Sequence, residues 1–174
     1  MDEDARLAHE AAAGNVAAFG HLVRLHQGKV RAFLRRMTHG NHALADDLSQ
    51  DTFLEAHRKI AQYRGEGSFT GWLYRIAYTR FLMEVRKRKL EPLDGEDERG
   101  FETEPGLIAK LDLEKAMAKL SAAERAALTL CYALEFSNEE AALILSTPLG
   151  TLKSHVLRGR EKLAKLLGTA PEAT

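Results

Sequence analysis

The sequence has one cysteine, one tryptophan and only four prolines among 174 residues. A lone thiol, Cys131, cannot close an intramolecular disulfide, and its apolar surroundings read as those of a buried, inert side chain. No apolar run approaches the ~20 residues needed to cross a bilayer. The opening MDEDARLAHE is acidic and lacks the apolar segment of a secretory signal, so a cytoplasmic protein is expected. Sustained two-residue alternation is missing, and no Asn-Gly or Asp-Gly turn joins β-branched runs, so strands are not expected. The usual signatures of catalysis are missing too: there is no HExxH, no paired cysteines, no phosphate-binding glycine loop and no nucleophile elbow. His39, His42, Asp46 and Asp47 make the best metal-ligand set, but the two histidines straddle a Gly-Asn helix break, which reads as a solvated turn. Neither an enzyme nor a cofactor is expected. The net charge is zero and 45% of the residues are hydrophobic, which argues against wholesale disorder.

The charges that are there are unevenly placed. Residues 75–90 hold Arg75, Arg80, Arg86, Lys87, Arg88 and Lys89 against Glu84, and residues 149–167 hold Lys153, Arg158, Arg160, Lys162 and Lys165 against Glu161. Each is a basic helix able to neutralise phosphates. Between them, Glu91 to Gly106 (EPLDGEDERGFETEPG) is acidic, rich in Pro and Gly, and has only Leu93 and Phe101 to bury. That composition predicts a flexible linker between two small helical domains, residues 1–90 and 107–170.

Apolar periodicity and caps divide the first unit into four helices. One runs from about Asp4 to Ala13 and stops at Gly14. Asn15 caps a second, with Val16, Phe19, Leu22, Val23, Val30, Phe33, Leu34 and Met37 on its apolar face. Gly40 and Asn41 break it, and Asn41 caps a third through Leu44, Leu48, Thr52, Ala56 and Ile60. After the loop from Tyr63 to Gly67, Ser68 caps a fourth, with Phe69, Trp72, Leu73, Ile76 and Ala77 inward. In the second unit Ser121–Glu124 and Ser137–Glu140 are capping boxes. Thr147 and Pro148 read as a cap and first helical residue, and Gly168 as a stop. A short capped helix, a tight turn and a longer basic helix make a helix-turn-helix. On the last helix Leu149, Leu152, Val156, Gly159, Leu163 and Leu166 form one stripe. Thr151, Ser154, His155, Arg158, Lys162 and Lys165 form the opposite one, suited to a DNA major groove. Lys153 and Arg160 flank it, where phosphates lie.

Pro148 to Leu163, PLGTLKSHVLRGREKL, resembles the fourth conserved region of bacterial sigma factors. Residues 46–89, DDLSQDTFLEAHRKIAQYRGEGSFTGWLYRIAYTRFLMEVRKRK, resemble the second region of their extracytoplasmic-function group. This resemblance implies a transcription initiation factor that binds core RNA polymerase and recognises −35 and −10 promoter elements. Asp46, Asp47, Gln50, Asp51 and Glu55 would dock on polymerase. Tyr63, Arg64, Ser68, Trp72, Tyr74, Arg75, Tyr78, Thr79, Arg80, Arg86, Lys87 and Arg88 would bind and melt the −10 element. Thr151, Lys153, Ser154, His155, Arg158, Arg160 and Lys162 would bind the −35 element. At helical spacing from Leu73 and Ile76, Trp72 reads as core more readily than as a base platform, and packed along one edge it can serve both. The sequence departs from the family pattern at Ser146 (commonly Gly), His155 (commonly Arg), Tyr78-Thr79 (often Arg-Asn) and Met83 (often Asp). An anti-sigma partner is implied, as is a linker that threads the polymerase's RNA path, although composition equally allows a plain tether. The alternatives are a sigma-like module that titrates an anti-sigma factor and a stand-alone helix-turn-helix regulator.

Overall fold

A computed structural model describes residues 2–90 and 105–168, and every regular element among them is helical. The N-terminal unit comprises α1 (Glu3–Ala12), α2 (Val16–Met37), α3 (His42–Lys59), a short 3₁₀ turn (Ile60–Gln62) and α4 (Phe69–Leu90). The C-terminal unit comprises α5 (Pro105–Ala118), α6 (Ala122–Leu128), a π turn (Thr129–Ala133), α7 (Asn138–Ile144) and α8 (Leu149–Leu167). Helix α5 starts two residues earlier than the linker composition predicts, and the rest of the expected linker, residues 91–104, lies outside the described residues.

The local signals act as chemistry dictates. The side chains of Asn15 and Asn41 accept from the amides of Ala18 and Leu44, supplying partners that first-turn N–H groups lack. Both capping boxes close reciprocally, Ser121 with Glu124 and Ser137 with Glu140. The Ser68 hydroxyl accepts from the amide of Gly71 at 3.0 Å and so starts α4. Two expectations need correction. Helix α8 begins at Leu149, with Pro148 in extended backbone at the cap position, so Thr147 is not the cap. Val16 is 76% exposed, because the inner face of α2 is instead Ala18, Leu22, His26, Val30, Phe33, Leu34 and Met37.

In the N-terminal unit α1, α3 and α4 pack around α2, while α8 packs across α5, α6 and α7 in the C-terminal unit. Gly159 is what lets α8 lie so close to α6: a Cβ there would meet Leu128 Cδ1 at 2.8 Å. The turn between α7 and α8 passes through Ser146 at φ +51, a left-handed conformation that a glycine adopts with less strain. The two units also share one core. Helix α4 packs against α7, and α2 against α6, so buried residues from Leu7 to Leu152 form a single cluster.

Candidate polymerase and nucleic-acid interfaces

On α3 the five residues expected to dock on polymerase divide in two. Asp47, Gln50 and Asp51 are exposed. Asp46 is engaged inside the unit, its Oδ1 lying 3.0 Å from Arg31 Nε in an ion pair. Glu55 is engaged as well, with Arg80 at 2.7 Å and Lys59 at 2.9 Å. The hydrogen bond from Lys59 and the charges of Lys59 and Arg80 outweigh the upward push of burial, so the Glu55 carboxyl lies below its ordinary range. The charge pattern of α3 shows only the i,i+4 pair of Glu55 with Lys59; Arg31 and Arg80 come from α2 and α4. Asp46 and Glu55 hold the bundle together, which leaves Asp47, Gln50 and Asp51 as the free polar face. Arg80, expected as a DNA clamp, is drawn into the same network.

The loop before α4 and the first turn of that helix form an aromatic group. Tyr63 and Trp72 are half-buried with ring centroids 5.3 Å apart, and Phe69 packs against both, at 5.7 and 5.6 Å, from inside the core. The Tyr63 hydroxyl donates to the Gly67 carbonyl at 3.3 Å, and Gly65 and Gly67 take left-handed backbone at φ +73 and +77. Trp72 therefore does serve the core along one side, and it shares its remaining surface with Tyr63. Arg64, Arg75, Thr79, Arg86 and Lys87 are exposed, while Arg88 is tied to Glu84 at 2.9 Å.

Tyr74 and Tyr78, expected as base platforms, are placed otherwise. Tyr74 is 1% exposed, edge-on to Phe33 at 5.2 Å and to Phe136 at 5.7 Å; Tyr78 is 7% exposed and stacks on Phe81 at 6.2 Å. Burial pushes the Tyr74 hydroxyl up to about 12, and pushes Tyr78 upward as well. Phe136 belongs to the C-terminal unit, so the physical reason for the difference is a contact made across the linker. In this arrangement neither ring presents a face to a base.

On α8, Thr151, Lys153, Ser154, Arg158 and Arg160 are exposed and His155 is half-buried. The Ser154 hydroxyl donates back to the Gly150 carbonyl at 3.0 Å, and Arg158 lies 3.4 Å from His155 Nδ1. Lys162 departs from its expected role. Its Nζ donates to both carboxylate oxygens of Glu124 at 2.9 Å, pinning α8 to α6. Two residues that the sequence reading passed over matter here. The Arg160 guanidinium lies 5.9 Å from the ring centroid of Tyr132, which the π turn leaves exposed. Arg125, which follows Glu124 into the apolar run Ala126–Leu130, is 3% exposed. Among the described residues no group of three or more His, Cys, Asp or Glu is placed to hold a metal ion, and no helix is long and apolar enough to cross a membrane.

Known proteins carry the same pair of units. Residues 22–91 match Sigma-70 region 2 and residues 110–163 match Sigma-70, region 4. The ECF RNA polymerase sigma factor EcfG of Rhodopseudomonas palustris is 38% identical over 143 residues, covering 79% of this chain and 78% of that protein. The chain belongs to the ECF family of RNA polymerase sigma factors. SigE of Mycolicibacterium smegmatis, another member, is 34% identical over 95% of this sigma factor and 69% of its own length. Among solved structures, the sigma factor RpoE of Bartonella quintana in complex with the anti-sigma factor NepR matches with TM-score 0.77. It is 32% identical and covers 88% of this chain and 98% of that one. CnrH in complex with the cytosolic domain of CnrY matches with TM-score 0.73 at 28% identity, covering 96% and 98%. The fold of this sigma factor is thus the family's two helical units, each with its region in order.

Proposed function

We propose that this sigma factor docks on core RNA polymerase through Asp47, Gln50 and Asp51, and reads an upstream promoter element with the exposed stripe of α8. The Tyr63–Ser68 loop, Trp72 and the α4 cations would hold the unpaired downstream element. Stacking of a base on an aromatic ring contributes roughly 1–3 kcal/mol, and it rewards only the open strand. Cations bind duplex and single strand alike, so they anchor without deciding between them. No bond is made or broken in this work, which accords with a non-enzymatic initiation factor acting in the cytoplasm. The observation that carries the reading is the presence of both sigma regions on one chain, with Thr151, Lys153, Ser154, Arg158 and Arg160 exposed together on α8. One structural relative is in complex with the anti-sigma factor NepR and another with the cytosolic domain of CnrY, so an anti-sigma protein is the expected class of partner. Run-off transcription with purified core polymerase, on templates selected from a random promoter pool, tests the function directly. Transcripts that depend on both the added chain and the template sequence support it; a chain that binds polymerase yet directs no initiation would refute it.

A further inference from the structure

We infer that α1 braces the loop that captures unpaired bases, and that Asp4 is the positioning residue through which it acts. This rests on the reading of Tyr63–Ser68 as that loop. Helix α1 precedes residues 22–91, the stretch that matches Sigma-70 region 2. It nevertheless packs on both anchors of the loop: the 3₁₀ turn Ile60–Gln62, which delivers Tyr63, and α4, which follows Ser68. Its inner face of Leu7, Ala8 and Ala11 is buried, so α1 is fixed as part of the bundle.

Asp4 reaches the aromatic group by two routes. Its Oδ2 accepts the Thr70 hydroxyl at 3.5 Å, and Thr70 stands beside Phe69 in the first turn of α4. The same oxygen lies 3.0 Å from Nε2 of His26, whose ring packs on Phe69 at 5.6 Å. Phe69 is in turn the inner ring against which Tyr63 and Trp72 pack. His26 is 7% exposed and neither ring nitrogen completes an aligned hydrogen bond. The carboxylate is therefore what the buried imidazole has in place of water. The loop itself feels these acids: burial raises the Tyr63 hydroxyl above its ordinary value, and the charges of Asp2 and Asp4 raise it further. A plainer role for acids at this position is to complement the helix dipole. Asp2 does so, capping α1 by accepting from the Ala5 amide at 2.7 Å, and Glu3 is exposed beside it. Asp4 instead turns inward, its side chain 24% exposed, onto partners from α2 and α4. A negative charge beside a surface that must meet phosphates weakens that encounter. What Asp4 contributes is shape: it fixes Phe69, and through Phe69 the rings on which a base stacks.

The chain's one tryptophan makes this measurable, since Trp72 sits in the braced group. In the free full-length chain, held well below its melting transition, Asp4→Ala should raise acrylamide quenching of Trp72 with helicity unchanged. Thr70→Val, which removes one route and leaves the carboxylate, should shift quenching the same way by less. Assembled with core polymerase, Asp4→Ala should bind a fully duplex promoter as wild type does. On a fork template whose downstream non-template bases are already unpaired, it should lose about fivefold in affinity, the low end of what one base–ring stack contributes. Equal losses on duplex and fork would make Asp4 a general structural residue and overturn the proposal, and so would unchanged quenching in both variants. Fork binding that falls for Tyr63→Ala but not for Asp4→Ala overturns it as well. Quenching needs neither polymerase nor DNA, so it judges the brace alone. If Asp4→Ala raises quenching while neither it nor Tyr63→Ala weakens fork binding, the loop is not where bases are held. That result defeats the reading beneath the proposal and, with it, the positioning role of Asp4.

Discussion

Replacing Lys162 by alanine separates two roles for one side chain. On α8 it sits in the stripe that suits a DNA groove, yet its ammonium is bonded 2.9 Å from both oxygens of Glu124. The Glu124 side chain is 6% exposed and that of Lys162 is 49% exposed. A hydrogen bond to a charged group contributes about 1.5–3 kcal/mol when buried, and the half-exposed ammonium reduces this to about 1–2 kcal/mol. The Ser121 amide still serves Glu124 after the substitution, so the larger penalty of an orphaned buried charge does not apply. For two units that share one core the loss corresponds to roughly 2–8 °C in Tm. Burial alone would raise the Glu124 carboxyl, but the bonds from Lys162 and Ser121 and the charges of Lys162 and Arg158 outweigh it, so the group lies below its ordinary 4.5. A depressed folded value means the stabilisation is present above that pH and is lost as pH falls through the folded value. Wild type and Lys162→Ala should therefore differ near neutrality and converge in acid. DNA binding gives the opposing measurement. A phosphate contact contributes about 0.9 to the slope of log affinity against log salt, and a Lys162 already committed to Glu124 contributes nearly nothing. Thermal melts across pH together with salt titrations on promoter DNA decide the matter. Unchanged stability with a slope reduced by about 0.9 would refute the structural role.

Asp47→Lys with Gln50→Ala should abolish co-elution with core polymerase at unchanged helicity, since a reversed interfacial charge costs several kcal/mol; Glu55→Gln should instead loosen the α3–α4 packing, read by a lower Tm. Tyr63→Ala should leave initial duplex binding intact but reduce permanganate-reactive thymines near the start site, and a pre-opened bubble template should restore transcription; normal melting on linear DNA would contradict this. In an alkaline titration followed by tyrosine absorbance, Tyr74 should ionise at about 12. A raised folded value also means stability holds below pH 10 and falls above it, and Phe136→Ala should advance the Tyr74 step. Ser146→Gly should stabilise the chain by up to about 1 kcal/mol in thermal melts by relieving the left-handed strain.

Helix ends were legible because caps are local. Asn15, Asn41, Ser121 and Ser137 act within three residues of themselves, so sequence spacing carries all the information they need. The pairing of Asp46 with Arg31, and of Glu55 with Arg80, was hidden because it depends on how α2 and α4 face α3. Helix α4 misled for a related reason. It is buried on two sides, by its own unit around Leu73 and by Phe136 from the other, so no single apolar stripe marks its inner face. Tyr74 and Tyr78 look like surface aromatics when only one side is counted. The π turn at Thr129–Ala133, which swings Phe136 toward Tyr74, has no sequence signature in an apolar run that would equally continue as α-helix.

The loop from Tyr63 to Ser68 carries a kinetic consequence. Its two left-handed glycines, the Tyr63 tie to Gly67 and the Ser68 cap hold its shape before any ligand arrives. Ordering a floppy segment takes about 1–2 kcal/mol per residue from binding, and here that entropy was surrendered during folding. A base that swings out of the duplex by thermal motion stays out only briefly. A receptor that must first close around it would miss most such excursions. One that is already shaped can trap each of them, so the rate of capture is then set by how often the DNA breathes and not by how fast the protein moves.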